Sequence, residues 1–221
     1  ATEPPLQDTS SSYNATSNKY VVSTLGHLSF IAQNYSYWDK HFIQTANIDA
    51  TVTKYWDDAD DTGGVTGDRH NDDNDITSTG NNEGFLPIGN NRYNSTYFTG
   101  EYDGGGYSID NLTINRPNTN KYTGFFGSTT GATIRNLSLT NDNTTANFVT
   151  GSLVGYAVST TIDNCSSSCT VTGTKLVGGL VGNTYTSTIR NSYSTATVNG
   201  GSGDNVGGLA GYISTNSTIL N

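Results

Sequence analysis

The sequence predicts an all-β fold: a parallel β-helix or β-solenoid of about four to six coils, closed at its start by a short helix. Three observations predict it. A glycine-bounded phrase returns four times, as Gly124-Phe125-Phe126-Gly127, Gly151-Ser152-Leu153-Val154-Gly155, Gly178-Gly179-Leu180-Val181-Gly182 and Gly207-Gly208-Leu209-Ala210-Gly211. A second phrase alternates with it: Ile109-Asp110-Asn111, Ile134-Arg135-Asn136, Ile162-Asp163-Asn164, Ile189-Arg190-Asn191 and Ile219-Leu220-Asn221, the isoleucines stepping by 25, 28, 27 and 30 residues. Between them lie Val, Ile, Thr, Tyr and Gly with no helical period, as in Val171-Thr172-Gly173 and Val198-Asn199-Gly200. Short alternating runs bounded by Gly, Asn, Asp and Ser read as strands.

A repeat of this size allows two or three short strands with their corners, stacked on the next coil at roughly 4.8 Å. The glycine pairs are expected at corners that need positive φ or a close backbone approach. Leu153, Leu180 and Leu209 are expected to point inward as a ladder, as are the repeated isoleucines.

Further motifs extend the pattern upstream: Phe85-Leu86-Pro87-Ile88-Gly89, Phe98-Thr99-Gly100, Tyr102-Asp103-Gly104-Gly105-Gly106-Tyr107 and Ile109-Asp110-Asn111-Leu112. With the Gly-Gly-Leu-Val-Gly phrases, they resemble GLUG-motif proteins over residues 40–221. The resemblance implies a β-solenoid segment of a large secreted or surface-attached microbial protein. Adhesins contain such segments, as do some extracellular peptidases outside their catalytic domain. It brings no catalytic residue with it.

Taken in order, residues 1–19 are polar and aperiodic and read as a flexible arm or linker. The stretch 20–97 is expected to form the N-terminal cap and first coils, and 98–221 the repeats proper. Thr24 is placed to cap a helix reaching Gln33, with Leu25, Leu28, Ile31 and Ala32 on one face. Such a helix would cover the open end of the first coil. His41-Phe42-Ile43-Gln44-Thr45 reads as the first coil strand and Asn47-Ile48-Asp49 as its turn. An acidic insertion, 57–83, then interrupts the pattern with eight Asp in 27 residues.

Composition bounds the function. The formal charge of −9 on 221 residues argues against nucleic acid, whose phosphates need a basic face, and against simple attraction to anionic membranes. No apolar run approaches the ~20 residues that span a bilayer. The chain starts without Met or a signal peptide, as expected of a processed or truncated start. The family resemblance implies an extracellular or cell-surface location. Eight Asn-x-Ser/Thr sequons, at Asn14, Asn34, Asn94, Asn111, Asn136, Asn143, Asn164 and Asn216, permit glycosylation there.

The acidic insertion is the candidate metal site. Calcium takes oxygen ligands from carboxylates, amides and carbonyls. Asp58, Asp60 and Thr62 followed by Gly63 resemble the opening of an EF-hand loop, although Arg69 stands where its twelfth-position acid would. Asp68, Asp72, Asp73 and Asp75 could complete the shell by folding back. A calcium ion is the expected cofactor, with a solvated acidic loop as the alternative. His27, His41 and His70 show no metal spacing.

Cys165 and Cys169 share the parity of the inward valine Val171. On a straight strand their Cα atoms lie roughly 13 Å apart, beyond the ~7 Å of a disulfide. Two buried thiols are therefore expected unless a corner separates them. Tyr156, Tyr185, Tyr193 and Tyr212 recur within the coils; on one face they would form rings for stacking on a ligand, and otherwise they are half-buried strand aromatics.

Three functions compete. The first is a non-enzymatic adhesion or binding module whose partner is a cell-surface glycan or protein. The second is a self-assembling subunit of an extracellular filament or surface layer, stacking copies end to end. The third is a small polysaccharide-active enzyme using paired carboxylates, though Arg116, Lys121, Arg135, Lys175 and Arg190 are scattered over different coils. The last repeat stops at Asn221, so its coil is expected to expose an open edge. The stretch near Tyr13 to Val22 is the strand that could complement it.

Overall fold

Tight corners divide each repeat into four sides. In the computed structural model, which describes residues 13–14, 19–56, 83–90, 96–117, 122–201 and 205–220, one circuit runs Thr133–Arg135, Ser138–Ala146, Val149–Gly151 and Val154–Val158. The next repeats it as Thr161–Asp163, Ser166–Gly173, Leu176–Gly178 and Val181–Tyr185. The expectation of two or three strands per coil is thereby corrected to four. A single residue in the left-handed conformation suffices to turn a corner, which leaves room for the extra strand.

Equivalent strands stack into four sheets of eight, seven, four and four strands. We call them the isoleucine, serine–threonine, valine–glycine and tyrosine faces, in the order the chain visits them. Among the described residues every strand ladder between coils is parallel, an isolated antiparallel bridge joins Gly84 to Ile114, and one antiparallel strand pair joins Tyr13–Asn14 to Lys19–Val22. Tyr20 and Val22 of that hairpin pair in turn with Phe42 and Gln44. The stretch expected to complement a neighbour's edge is thus used within its own sheet.

The isoleucine face carries the inward column Phe42, Tyr102, Ile134, Ile162, Ile189 and Ile219. From Phe42 to Ile189 these side chains are buried, each fully buried aliphatic contributing about 1.5–3 kcal/mol. Ile109 does not belong to this column. It pairs with Ile48 and Leu139 on the serine–threonine face. Gly104 turns the corner that Asn136 turns one coil later, its N–H reaching Arg135 O at 2.8 Å as that of Asn136 reaches Asp163 O at 3.0 Å. An added turn with Gly105 and Gly106 at positive φ then delays the strand containing Ile109 to the next side. Ile48–Asp49, expected as a turn, is the strand paired with it.

The glycine phrases fall where the valine–glycine and tyrosine faces meet. Their glycines have no positive φ; close approach is what they supply. A Cβ on Gly178 would lie 1.9 Å from Val181 O, and one on Gly155 would lie 2.5 Å from Thr123 N. Left-handed corners are made instead by Asn136, Asn164 and Asn191. Leu153 and Leu180 are buried between the glycines as expected, whereas Leu209 is only partly covered.

A chain this polar still closes a core in part because several of its buried hydroxyls bond to corner amides and carbonyls. Ser187 Oγ accepts from Thr160 N–H, and Ser192 Oγ accepts from Cys165 N–H, each at 3.0 Å. Ser152 Oγ donates to the Gly179 carbonyl at 2.7 Å. At the other end helix α1 (Leu25–Gln33) starts at Thr24, whose Oγ1 accepts from His27 N–H at 3.2 Å. Its buried residues are Leu28, Ile31 and Ala32, as the spacing predicts. No helix among the described residues is long and apolar enough to cross a membrane.

Candidate functional site

The outward columns of the tyrosine face come from short strands with period-two alternation. Phe98 bridges Thr129, which sets Tyr97 opposite Ser128. Ser128 pairs with Tyr156, Tyr156 with Asn183, and Asn183 with Tyr212. The column therefore alternates tyrosine with a small polar residue: Tyr97, Ser128, Tyr156, Asn183, Tyr212. Successive tyrosines are two strand spacings apart, about 10 Å along the axis. Tyr185 stands beside it in the next outward column, opposite Val158.

Neighbouring sides widen the stripe. The ring of Tyr122 lies 4.7 Å from that of Tyr156 and 6.1 Å from that of Phe148, centroid to centroid. Lys175 Nζ sits 4.9 Å from the Phe148 ring centre, a cation–π geometry. Burial first, and neighbouring tyrosines second, hold the Tyr122 and Tyr156 phenols above their usual range. Both are neutral at physiological pH, so the stripe presents half-buried rings and hydroxyls without negative charge. Tyr185 and Tyr212 are 46 % and 44 % exposed.

Of the four tyrosines singled out by recurrence, three share this face. Tyr193, 61 % exposed, is on the serine–threonine face opposite Ser166. Sequence reasoning missed Tyr97, Tyr122 and Phe148, which come from different sides of adjacent coils. The register of the glycine phrases gives only part of the signal: Tyr122 lies two residues before Gly124, opposite Val149, while Phe148 lies three before Gly151.

The isoleucine face carries the fixed charges. Its outward column reads Asp103, Arg135, Asp163, Arg190, so that opposite charges alternate coil by coil. Arg135 Nη2 reaches Asp103 at 2.9 Å and Glu101 at 2.8 Å, and Arg190 Nη2 reaches Asp163 at 2.9 Å. Lys19 pairs with Glu101 at 2.8 Å and His41 with the same carboxylate at 3.2 Å. His27 accepts from Ser23 N–H through Nδ1 at 3.1 Å. Both described histidines thus have structural partners.

One acid lies inside the coil. Asp142 follows a register shift in the strand Ser138–Ala146, where Asn141 takes a positive φ. Its Oδ1 accepts from Leu112 N–H at 2.7 Å, while Oδ2 has no strong donor among the described residues. Burial pushes its carboxyl up to about 8; the Leu112 N–H opposes the shift, nearby Asp110 adds to it, and the Cys169 thiol opposes it weakly. Cys165 and Cys169 are buried free thiols, as expected, and burial pushes both up to about 12.

The calcium ligands read from the sequence, Asp58, Asp60, Thr62, Asp68, Asp72, Asp73 and Asp75, lie outside the described residues. Among the described residues no group of three or more His, Cys, Asp and Glu is placed to hold a metal ion.

Comparison with known proteins agrees with this architecture. Residues 173–199, one circuit of the coil, match the GLUG motif. Over 156 residues the chain is 31 % identical to halomucin of Haloquadratum walsbyi, a match covering 70 % of this chain and 1 % of that protein. The chain therefore corresponds to a small part of that relative's length. Among solved structures, a protein from Bacteroides ovatus provisionally assigned as an immunoglobulin A1 protease superposes with a TM-score of 0.51 at 14 % identity. That match covers 94 % of this chain and 66 % of the other, and at such identity it speaks to the fold alone. This β-solenoid thus carries a GLUG motif at residues 173–199, where the motif forms a complete turn of the coil.

Proposed function

We propose that the chain is a non-enzymatic extracellular module that binds a glycan chain along its tyrosine face, as part of a surface protein. The observation that carries this reading is the axial stripe of Tyr97, Tyr156 and Tyr212, with Tyr122 and Tyr185 beside it. Aromatic rings offer flat apolar faces and a polar tip, the combination that accepts a sugar ring with its hydroxyls. Their alternation with the smaller Ser128 and Asn183 spaces the rings two coils apart. An extended, uncharged polysaccharide lying along the axis fits this repeat better than a globular protein surface does.

The acidic total charge supports a neutral or cationic partner over an anionic one. Similarity to a short region of a much longer protein bearing the name of a mucin supports the surface setting.

Co-sedimentation with insoluble β-linked polysaccharides, followed by a glycan array, tests the reading. Binding should weaken about tenfold, or about 1.4 kcal/mol, on Tyr156→Ala and again on Tyr212→Ala. Tyr193→Ala, on a different face, should leave it unchanged. Glycan binding insensitive to both stripe variants, or none to any glycan, would overturn the proposal.

A further inference from the structure

Two columns of left-handed corners run down the solenoid, and they treat asparagine differently. The first holds Asn136, Asn164 and Asn191, at φ +53°, +51° and +50°. Their carboxamides are engaged in the stack. Asn136 Nδ2 donates to Asp103 Oδ1, Asn164 Nδ2 to Asn136 Oδ1 and Asn191 Nδ2 to Asp163 Oδ1, each at 2.9 Å. The second column holds Gly131, Ser159, Thr186 and Asn216, at φ +63°, +47°, +50° and +60°. It faces solvent: a Cβ on Gly131 would meet nothing within 4 Å, and Ser159, Thr186 and Asn216 are exposed.

Asn216 opens the sequon Asn216-Ser217-Thr218 on this open corner. Its carboxamide makes no hydrogen bond among the described residues. Ser217 anchors the turn, its N–H reaching Ser214 O at 3.2 Å and its Oγ accepting from Ser187 N–H at 3.3 Å. Thr218 is exposed, so the hydroxyl that the sequon requires is reachable.

The other described sequons lack one of these properties. Asn34 Nδ2 donates to Phe30 O at 2.7 Å, and Asn111 Nδ2 faces Asp49 Oδ1 at 3.5 Å. Asn136 and Asn164 belong to the engaged column, and each is followed by a buried residue, Leu137 or Cys165. Asn143 points outward but is held in a strand paired on both sides, opposite Thr113 and Thr170. An acceptor must be drawn into a transferase, and a paired central strand cannot bend to follow. The side chains of Asn14 and Asn94 lie outside the described residues.

We propose that Asn216 is the N-glycan acceptor of the folded chain among these six sequons. The donor would be an oligosaccharide carried on a lipid pyrophosphate. The Asn216 carboxamide nitrogen bonds to the anomeric carbon, and the bond from that carbon to the pyrophosphate oxygen breaks. Its electron pair leaves with the lipid pyrophosphate, and the displaced N–H proton passes to a base of the transferase. The proposal uses the extracellular setting proposed above for access to such a donor, and is independent of any glycan bound at the tyrosine face.

The test uses the purified, folded chain and an oligosaccharyltransferase chosen because it glycosylates the free peptide spanning Asn216–Thr218. With lipid-linked oligosaccharide present, peptide mapping by mass spectrometry should show Asn216 modified about tenfold faster than Asn34, Asn111, Asn136, Asn143 or Asn164. Thr218→Val should abolish the modification without changing the melting temperature. An unmodified Asn216 in the folded chain would overturn the proposal, as would corner asparagines modified at the same rate. Neither outcome depends on the polysaccharide assay.

Discussion

The first and the last described coils of the solenoid are built from different materials. At the N-terminal end helix α1 covers the first coil, and aromatic side chains fill the core beneath it. Phe42, Phe98, Tyr102, Phe125 and Phe126 are all fully buried, with the Phe98 and Phe126 rings 4.8 Å apart. Tyr102 donates from its hydroxyl to Gln44 Oε1 at 3.0 Å, so even its polar atom has a partner inside. Toward the C-terminal end the core narrows to Ile, Leu and Val between glycines, and the last described coil leaves Val206, Ile213 and Leu220 about half exposed. Irregular coils need large side chains to fill uneven space, whereas regular coils repeat one small set of contacts.

Substitutions can break this comparison directly. The largest effect is expected at the aromatic end: Phe126→Ala should cost about 3–5 kcal/mol. Leu209→Ala, at a partly covered position, should cost no more than about 1 kcal/mol. Chemical denaturation curves for the two variants measure the difference, and equal losses would contradict the contrast in packing.

A smaller effect separates a glycine beneath a following coil from one in the last described coil. Gly178→Ala places a Cβ 1.9 Å from Val181 O and should destabilise by about 1–3 kcal/mol. Gly208→Ala, where an added Cβ meets nothing within 4 Å, should stay within about 0.5 kcal/mol of the parent. Thermal melts of the pair are sufficient to decide.

The last effect is read through pH. With its folded pKa raised to about 8, against about 3.9 for an unfolded Asp, Asp142 binds its proton more tightly in the native state. The native state loses stability on this account as pH rises from about 4 to about 8, and no further above that. Asp142→Asn keeps an oxygen for the Leu112 N–H and cannot ionise. It should melt above the parent at pH 8 by about 2–4 °C for each kcal/mol recovered, and lose that advantage near pH 4. A pH-independent difference between the two would show that the carboxyl is not held neutral inside the coil.

Sequence by itself determined the repeat, the strand type and the cap. A fixed period in Gly-Gly-Leu-Val-Gly and Ile-x-Asn is written in adjacent residues, as are Thr24 and the apolar spacing of α1, and local chemistry suffices to interpret them. It also determined that Leu153, Leu180 and the isoleucines from Ile134 to Ile189 face inward, because a strand alternates with period two. Register was decided only in three dimensions. Ile109 carries the same local phrase as Ile134, yet the turn at Gly104–Tyr107 moves it to another face. The tyrosine stripe was decided there too: Tyr97, Tyr122, Tyr156 and Tyr212 come from separate coils and two sides, and nothing local links them. The physical reason is the same in both cases. Corners consume a variable number of residues, so sequence spacing fixes which way a side chain points within a strand, while the stacking of coils fixes what it stands beside.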